Sequence, residues 1–220
     1  MGEFGDVLWL SFKLAFFTTI ILLPLGMLIA LGLLKRGVFS QIVEALVWLP
    51  LVLPPVVLGF YLLLLFSPNY AFGAFLEQTL GIRLVFSFSG ILIGSIIFSL
   101  PFMVNPLKSA LESVPKSFYL VSHSLGRGRI FTFFHIVLPN IRSGMLFASL
   151  LTFMHTIGEF GVVLMLGGDI RSSTRTVSIA IYTQVEQLSY GVAHMYVLIL
   201  TALSFGSLFI LFRLKRGSFH

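Results

Sequence analysis

The sequence contains no cysteine and few charged residues. Of its 220 residues, 10% are Asp, Glu, Lys or Arg, whereas 57% are hydrophobic. The absence of cysteine excludes disulfide bonds and thiolate metal ligands. So small a charged fraction, together with a mean hydropathy of +1.03, lies outside the range of soluble domains. The composition therefore predicts an integral membrane protein with a single domain over residues 1–220.

Motifs for ATP binding and for metal-dependent hydrolysis are also missing. No G-x-x-x-x-G-K-[ST] occurs, so the chain has no loop of the kind that cradles ATP phosphates. No H-E-x-x-H occurs, and the histidines show no close pairing with carboxylates. They are His123, His135, His155, His194 and His220. We therefore expect a non-catalytic chain with no cofactor or metal of its own.

Five long apolar runs account for most of the chain. A run of about 20 apolar residues can cross a bilayer as a helix, so the sequence predicts an all-α fold with about five transmembrane helices. The runs are Val7 to Leu34, Ile42 to Phe66, Phe88 to Leu107, Ile141 to Leu166 and Tyr190 to Phe212. Glu3 and Asp6 precede the first run where a signal peptide would carry basic residues, so we expect that run to stay as a span.

The basic residues between these runs fall into two unequal sets. One set of loops holds ten of them: Lys35, Arg36, Lys108, Lys116, Arg127, Arg129, Arg142, Arg213, Lys215 and Arg216. The other set holds only Arg83, Arg171 and Arg175. Because lysine and arginine in short loops remain on the cytoplasmic side, the distribution predicts an outside N-terminus and a cytoplasmic C-terminus.

The longest predicted cytoplasmic loop, residues 108–142, has internal helical signals. In "SVPKSFYLVSHSLGRG", Ser113 is a candidate N-cap, Pro115 is placed in the first turn, and Gly126 ends the helix. Phe118, Val121 and Leu125 share one face of it. A second helix is predicted from Ile130 to Leu138, before Pro139. The local pattern fits either a projecting docking element or an amphipathic loop on lipid headgroups.

The same loop resembles the cytoplasmic EAA loop of ABC importer permeases. The resemblance lies in Leu125-Gly126, in Ile136 ten residues after that glycine, and in Leu138-Pro139. It implies a coupling helix that docks on an ATPase dimer, which binds ATP and Mg. The residues that it implies for this contact are Pro115, Phe118, Val121, Ser122, Leu125, Gly126 and Arg127. Leu120-Val121-Ser122 stands where Glu-Ala-Ala is usual, which puts the glutamate's salt bridge in doubt.

A second stretch, "GEFGVVLMLGGDIRSSTRTVSIAIYTQVE" from Gly158 to Glu186, resembles molybdate and tungstate permeases of the ModB type. The resemblance covers nearly the whole chain and implies the type I ABC importer permease fold. It also implies a multi-pass homodimer in the inner membrane, an extracytoplasmic oxyanion-binding protein, and ATP-driven import by alternating access. Sulfate or thiosulfate permeases are the nearest alternative. A channel fits less well, because it needs no projecting coupling loop, and a secondary transporter fits less well, because it usually needs more spans.

Polar residues near the predicted outside face are candidates for the anion path. Glu159 is expected to pair with Arg175 or to cap backbone amides, and a gating role is the alternative. Thr174, Arg175 and Thr176 are expected at the gate, and Arg171 in docking of the binding protein; the alternative is a solvated loop without direct anion contact. The stretch "TVSIAIYTQVE" is expected to be a short re-entrant helix.

Overall fold

The structure is a computed structural model that describes residues 2–35 and 37–217. Arg36 and His220, both considered above, lie outside the described residues. Within these ranges every regular element is helical, as the composition predicts. The helices are α1 (Gly2–Leu33), α2 (Val38–Val52), α3 (Pro55–Phe66), α4 (Ala71–Leu80), α5 (Phe88–Glu112), α6 (Lys116–Ser124), α7 (Arg129–Thr132), a π-helical turn (Phe133–Val137), α8 (Leu138–Asn140), α9 (Arg142–Gly158), α10 (Gly161–Gly167), α11 (Val177–Glu186) and α12 (Tyr190–Gly217).

Three of the predicted spans form single long helices. The segments Phe4–Leu33, Phe88–Glu112 and Tyr190–Ile210 are each long and apolar enough to cross a membrane, because about 20 residues of helix match the hydrocarbon thickness. In the described part of the chain the number rises to five when each of two bent helix pairs is counted as one span. The prediction of about five spans is consistent with this upper count.

The second predicted span is broken rather than straight. α2 and α3 meet at a bend of 111°, where Leu53 and Pro54 both have extended backbone angles. A residue that precedes proline is disfavoured in the helical region, and Leu53 and Pro54 each precede one. The Pro54-Pro55 pair therefore ends one helix and starts the next.

The fourth predicted span, Ile141 to Leu166, is also interrupted. α9 ends at Gly158 and α10 starts at Gly161, with Glu159 in an extended conformation between them. At its other end, α9 meets Arg129–Asn140 at a bend of 68°. The chain thus changes direction on both sides of α9, and the sequence pattern alone predicted neither break.

Two apolar clusters hold the bundle together around α1, α5 and α9. One cluster, toward the loop of residues 108–142, includes Leu22, Leu107 and Ile141. The other, toward the opposite end, includes Leu14 and Ile91 together with residues of α3 and α10. Helices approach closely where a side chain is lacking. A Cβ on Gly94 of α5 would lie 2.4 Å from Leu166 Cδ1 and 2.9 Å from Val162 Cγ1.

The helix α4 was not predicted from the sequence. It follows α3 after a short turn and ends at Gly81, whose φ of 64° allows the chain to reverse. Gly73 packs against the end of α3, since a Cβ there would lie 2.2 Å from the Ser67 carbonyl oxygen. The element is short and carries Gln and Glu among its apolar residues, so it gives no transmembrane signal.

Candidate functional site

The loop of residues 108–142, here called the docking loop, begins differently from the prediction. Ser113 is not the N-cap of α6. It closes α5 instead, and its hydroxyl donates to the Ala110 carbonyl at 2.7 Å. Pro115 takes the N-cap position, just before α6 rather than in its first turn. Because Val114 precedes proline, the helical region is disfavoured for it, and a new helix starts only after Pro115.

Gly126 forms the turn that the sequence predicted. Its φ is 71°, a conformation that favours glycine. The Gly126 N–H donates to the His123 carbonyl at 3.0 Å, and the Arg127 N–H donates to the Ser122 carbonyl at 3.1 Å. This pair of bonds is the Schellman motif, which ends a helix by reversing the chain.

The outer surface of the docking loop is strongly apolar. Phe118, Val121 and Leu125 of the predicted face are 39%, 58% and 71% exposed. The neighbouring Leu120 and Ile130 are also exposed. Pro115, Gly126 and Arg127 lie on the same exposed loop, with the Arg127 guanidinium 4.6 Å from the centre of the Phe131 ring. Exposed apolar patches with a charged rim are typical of interaction surfaces.

Ser122 differs from the other predicted contact residues. It is only 1% exposed, and its hydroxyl oxygen lies 2.7 Å from that of Thr132. Its side chain is therefore buried within the loop and is not part of the exposed apolar surface. Because its hydroxyl contacts Thr132, it lies on the side of α6 that faces α7.

The helix that follows the turn is longer and less regular than predicted. It runs from Arg129 to Asn140 and contains the π-helical turn Phe133–Val137. Pro139 lies just after that turn. Because proline has no N–H to donate to a carbonyl four residues back, the regular ladder cannot continue through it. π-helical turns are frequent at functional sites.

At the other end of the bundle, the polar segment between α10 and α11 is closed on itself. Thr174 is fully buried, donates to the Gly167 carbonyl at 2.7 Å and accepts from the Ile170 N–H at 3.3 Å. Thr176 is also buried, whereas Arg171 is exposed. The Thr174 hydroxyl is thus occupied by its own loop in this structure.

Arg175 forms its ion pair with Asp169 and not with Glu159. Its Nε and Nη2 donate to the two carboxylate oxygens, the second at 2.9 Å, and Thr183 of α11 donates to the same carboxylate at 2.9 Å. The tight turn brings Asp169 within reach of Arg175, and the planar guanidinium suits a two-bond contact. The predicted pair between Glu159 and Arg175 therefore does not form in this structure. Sequence reasoning missed Asp169, although its position six residues before Arg175 was a usable signal.

Glu159 lies in the break between α9 and α10 and is 3% exposed. Neither of its carboxyl oxygens has a hydrogen-bond partner in the described part of the chain. One and two turns before it, the same face of α9 carries Thr156 and Thr152. The Thr156 hydroxyl lies 2.9 Å from that of Ser99 on α5. A buried ionisable residue at membrane depth is costly, so Glu159 is a candidate functional residue.

No group of three or more His, Cys, Asp or Glu side chains in residues 2–35 and 37–217 could hold a metal ion. The polar residues of the chain instead lie in two separate places. The docking loop is at one end, and the Asp169–Arg175 turn with the helix break at Glu159 is toward the other. An element that projects at one end and a polar helix break near the other suit a membrane subunit driven by a partner.

Comparison with known proteins agrees with this arrangement. Residues 22–218 match the family model for the binding-protein-dependent transport system inner membrane component, and the chain belongs to this family. Solved structures share its fold. A bacterial importer of the polysaccharide alginate gives a TM-score of 0.77 at 17% identity, covering 99% of this chain and 79% of that one. The methionine ABC transporter MetNI gives 0.75 at 16% identity, covering 100% and 98%.

Within the family, the sequence is similar to permeases of the ModB type. It is 43% identical to the molybdenum transport system permease protein ModB of Azotobacter vinelandii, over 94% of this chain and 92% of that protein. It is 34% identical to the ModB of Escherichia coli K12, over 80% and 78%. The chain is therefore a multi-pass inner membrane permease of an ABC importer, and the expected type I permease fold is confirmed.

Proposed function

We propose that this chain imports a tetrahedral oxyanion, molybdate and its close analogue tungstate, as the membrane subunit of an ATP-driven transporter. The observation that supports molybdate as the substrate is the 43% identity, over nearly the whole chain, to a permease named for molybdenum transport. The weaker similarity to a chloroplast sulfate permease, 31% identical over 56% of that protein, keeps sulfate as the second candidate.

The exposed apolar face of the docking loop supports a cytoplasmic ATPase dimer as the partner. Phe118, Val121 and Leu125 would be buried in that contact, with Pro115, Gly126 and Arg127 beside them. ATP and Mg belong to the ATPase, since this sequence has no phosphate-binding loop. Closure of the ATPase dimer draws two docking loops together, which requires a second copy of the permease. We propose a homodimer with the anion path along its two-fold axis.

The orientation follows from the basic residues, with the docking loop in the cytoplasm and the N-terminus outside. The Asp169–Arg175 turn then faces outward. There Arg171, which is exposed, contacts the anion-loaded binding protein. Glu159, Thr174, Arg175 and Thr176 form the gate, with the helix break at Glu159 as the point where α9 and α10 change their relative direction. The charge partner of Arg175 in this gate is Asp169, and not Glu159.

The test is uptake by proteoliposomes that contain the permease, its ATPase and its binding protein. We expect molybdate to accumulate only when ATP reaches the ATPase, and tungstate to compete with it. Preparations without the ATPase are the control and should accumulate nothing. Accumulation of sulfate but not molybdate would favour the second candidate. Uptake without ATP would instead indicate a channel or a secondary transporter.

A further inference from the structure

We propose that Ser122 and Thr132 form a brace that makes α6 and α7 move together, so that movement of a docked ATPase reaches the transmembrane helices. The two hydroxyls lie 2.7 Å apart between α6 and α7. Both residues act as positioning residues, because neither faces a partner. This inference rests on the proposed docking function and adds to it the bond that transmits the movement.

The direction of the hydrogen bond follows from its surroundings. Thr132 Oγ1 lies 3.0 Å from the Gly128 carbonyl oxygen and donates its single proton there. Ser122 must therefore donate to Thr132. The pair is buried, at 1% and 5% exposure, in a loop whose other side chains are mostly exposed. Water competes little for a bond in such a place, so the bond holds the two helices at a fixed separation.

The backbone hydrogen bonds of the connection between the two helices tie it to α6 or to α7, and none of them joins α6 directly to α7. The connection consists of Leu125, Gly126, Arg127 and Gly128, and a Cβ on either glycine would meet no atom within 4 Å. No side chain packs against the turn at these two positions. In the docking loop, which is described completely, Ser122–Thr132 is the only side-chain hydrogen bond between α6 and α7.

The brace lies on the path from the docking surface to the membrane. Val121 and Leu125 on α6 are exposed for docking, whereas Ser122 between them faces inward. Thr132 is the last residue of α7, directly before the π-helical turn. From there the chain passes through α8 and the 68° bend into α9, which ends at Gly158, directly before Glu159. A push on α6 thus reaches α9 through α7 only if α6 and α7 keep their relative position.

The test compares Ser122→Ala with Ser124→Ala in the complete transporter. Ser124 is the matched control, because its hydroxyl is exposed and bonds only within α6, to the Leu120 carbonyl at 3.0 Å. We expect Ser122→Ala to raise the ATP hydrolysed per anion transported by about two- to tenfold, the factor that corresponds to the free energy of one hydrogen bond. Ser124→Ala should match the wild type. Thr132→Ser keeps the hydroxyl and should stay near the wild type, whereas Thr132→Ala should behave like Ser122→Ala.

A second measurement does not depend on the transported substrate. Spin labels at Ser117→Cys on α6 and Asn140→Cys on α8 report the distance between α6 and the end of the helical segment that starts with α7, in the permease–ATPase complex. We expect one narrow distance distribution in the wild type and in the Ser124→Ala background, and a broadened one with Ser122→Ala.

Unchanged distances and unchanged coupling with Ser122→Ala would overturn the brace. Weaker ATPase binding with an unchanged ratio of ATP hydrolysed to anion transported would also overturn it. In that case the pair would stabilise the fold of the loop without transmitting movement. Failure of the wild type to take up any oxyanion would count against the proposed function, while the distance measurement would still decide on the brace.

Discussion

Ser122 and Asp169 each bind another side chain of the same short segment. Ser122 bonds to Thr132 across ten positions, and Asp169 binds Arg175 across six. The first bond spans the turn at Gly126 and the second spans the turn that starts after Gly168, and both glycines have positive φ. In both places a polar side chain stabilises a turn from within its own segment.

The positive φ of Gly126 makes that residue sensitive to substitution. Gly126→Val should strain the turn by about 1–3 kcal/mol, because a β-branched side chain disfavours this conformation. We expect weaker ATPase association or lower coupling, with insertion into the membrane unchanged. Gly128→Val is the matched control, since Gly128 has a φ of −72° and equal space around it. Equal effects of the two variants on ATPase binding in detergent would show that backbone conformation is not the cause.

The Asp169–Arg175 ion pair should contribute to stability as a unit. Asp169→Asn removes the negative charge that Arg175 binds in this turn, which we expect to cost about 1–3 kcal/mol. Arg175→Gln should lower the unfolding temperature in detergent similarly and reduce transport. The double variant should then lose less than the two single losses combined. Fully additive losses would contradict a shared interaction.

Arg171 is the control in the same segment. It is exposed, so Arg171→Gln should change the unfolding temperature less than either variant of the pair. If Arg171 takes part in docking, the same variant weakens binding-protein association most at low salt, where surface charges are least screened. An effect on stability as large as that of Asp169→Asn would place Arg171 among the structural residues instead.

At the scale of elements, the bent helices are the distinctive feature. α2 and α3 meet at 111°, and α9 is flanked by a 68° bend and by the break at Glu159. Proline accounts for the first bend, and Pro139 lies beside the second. Such breaks leave backbone groups that other helices or water must satisfy, and they are tolerated at membrane depth only where protein or water covers them.

The orientation of these elements can be tested in a chain without cysteine. Ser117→Cys on α6 is exposed and should react with membrane-impermeant thiol reagents only in inside-out vesicles. Ser172→Cys, exposed in the turn before α11, should react only in intact cells whose outer face is accessible. Ser122→Cys is the negative control, because that position is buried and should react from neither side. Labelling of Ser117→Cys from outside would reverse the topology and remove the coupling role of the docking loop.

At the scale of the whole molecule, the exterior is largely apolar beyond the docking loop. α12, for example, has only a small buried share, and Phe205 and Phe209 on it are exposed. In a membrane such surfaces contact lipid or a second copy of the chain. α9 leads from the docking loop to the helix break at Glu159, and α5, whose last residues lie in the loop, packs along it. These two helices connect the two ends of the molecule.

The sequence by itself determined the class of protein and the local conformations. Apolar runs of membrane length predicted the long helices, because the bilayer sets a length that composition reveals. The glycine at position 126 predicted the turn, because a positive φ is accessible mainly to glycine and therefore depends on the identity of that one residue. The docking face of Phe118, Val121 and Leu125 followed from helical spacing.

Only the tertiary structure decided which side chains meet. The choice of Asp169 over Glu159 as the partner of Arg175 depends on how the turn after Gly168 folds, and the burial of Ser122 depends on where α7 lies. The break at Glu159, near which the sequence has no proline, was likewise visible only in the structure, whereas the Pro54-Pro55 pair already explains the break after Leu53. Periodicity and composition describe a segment by itself, whereas an ion pair or a brace requires the relative placement of two segments, which depends on packing throughout the bundle.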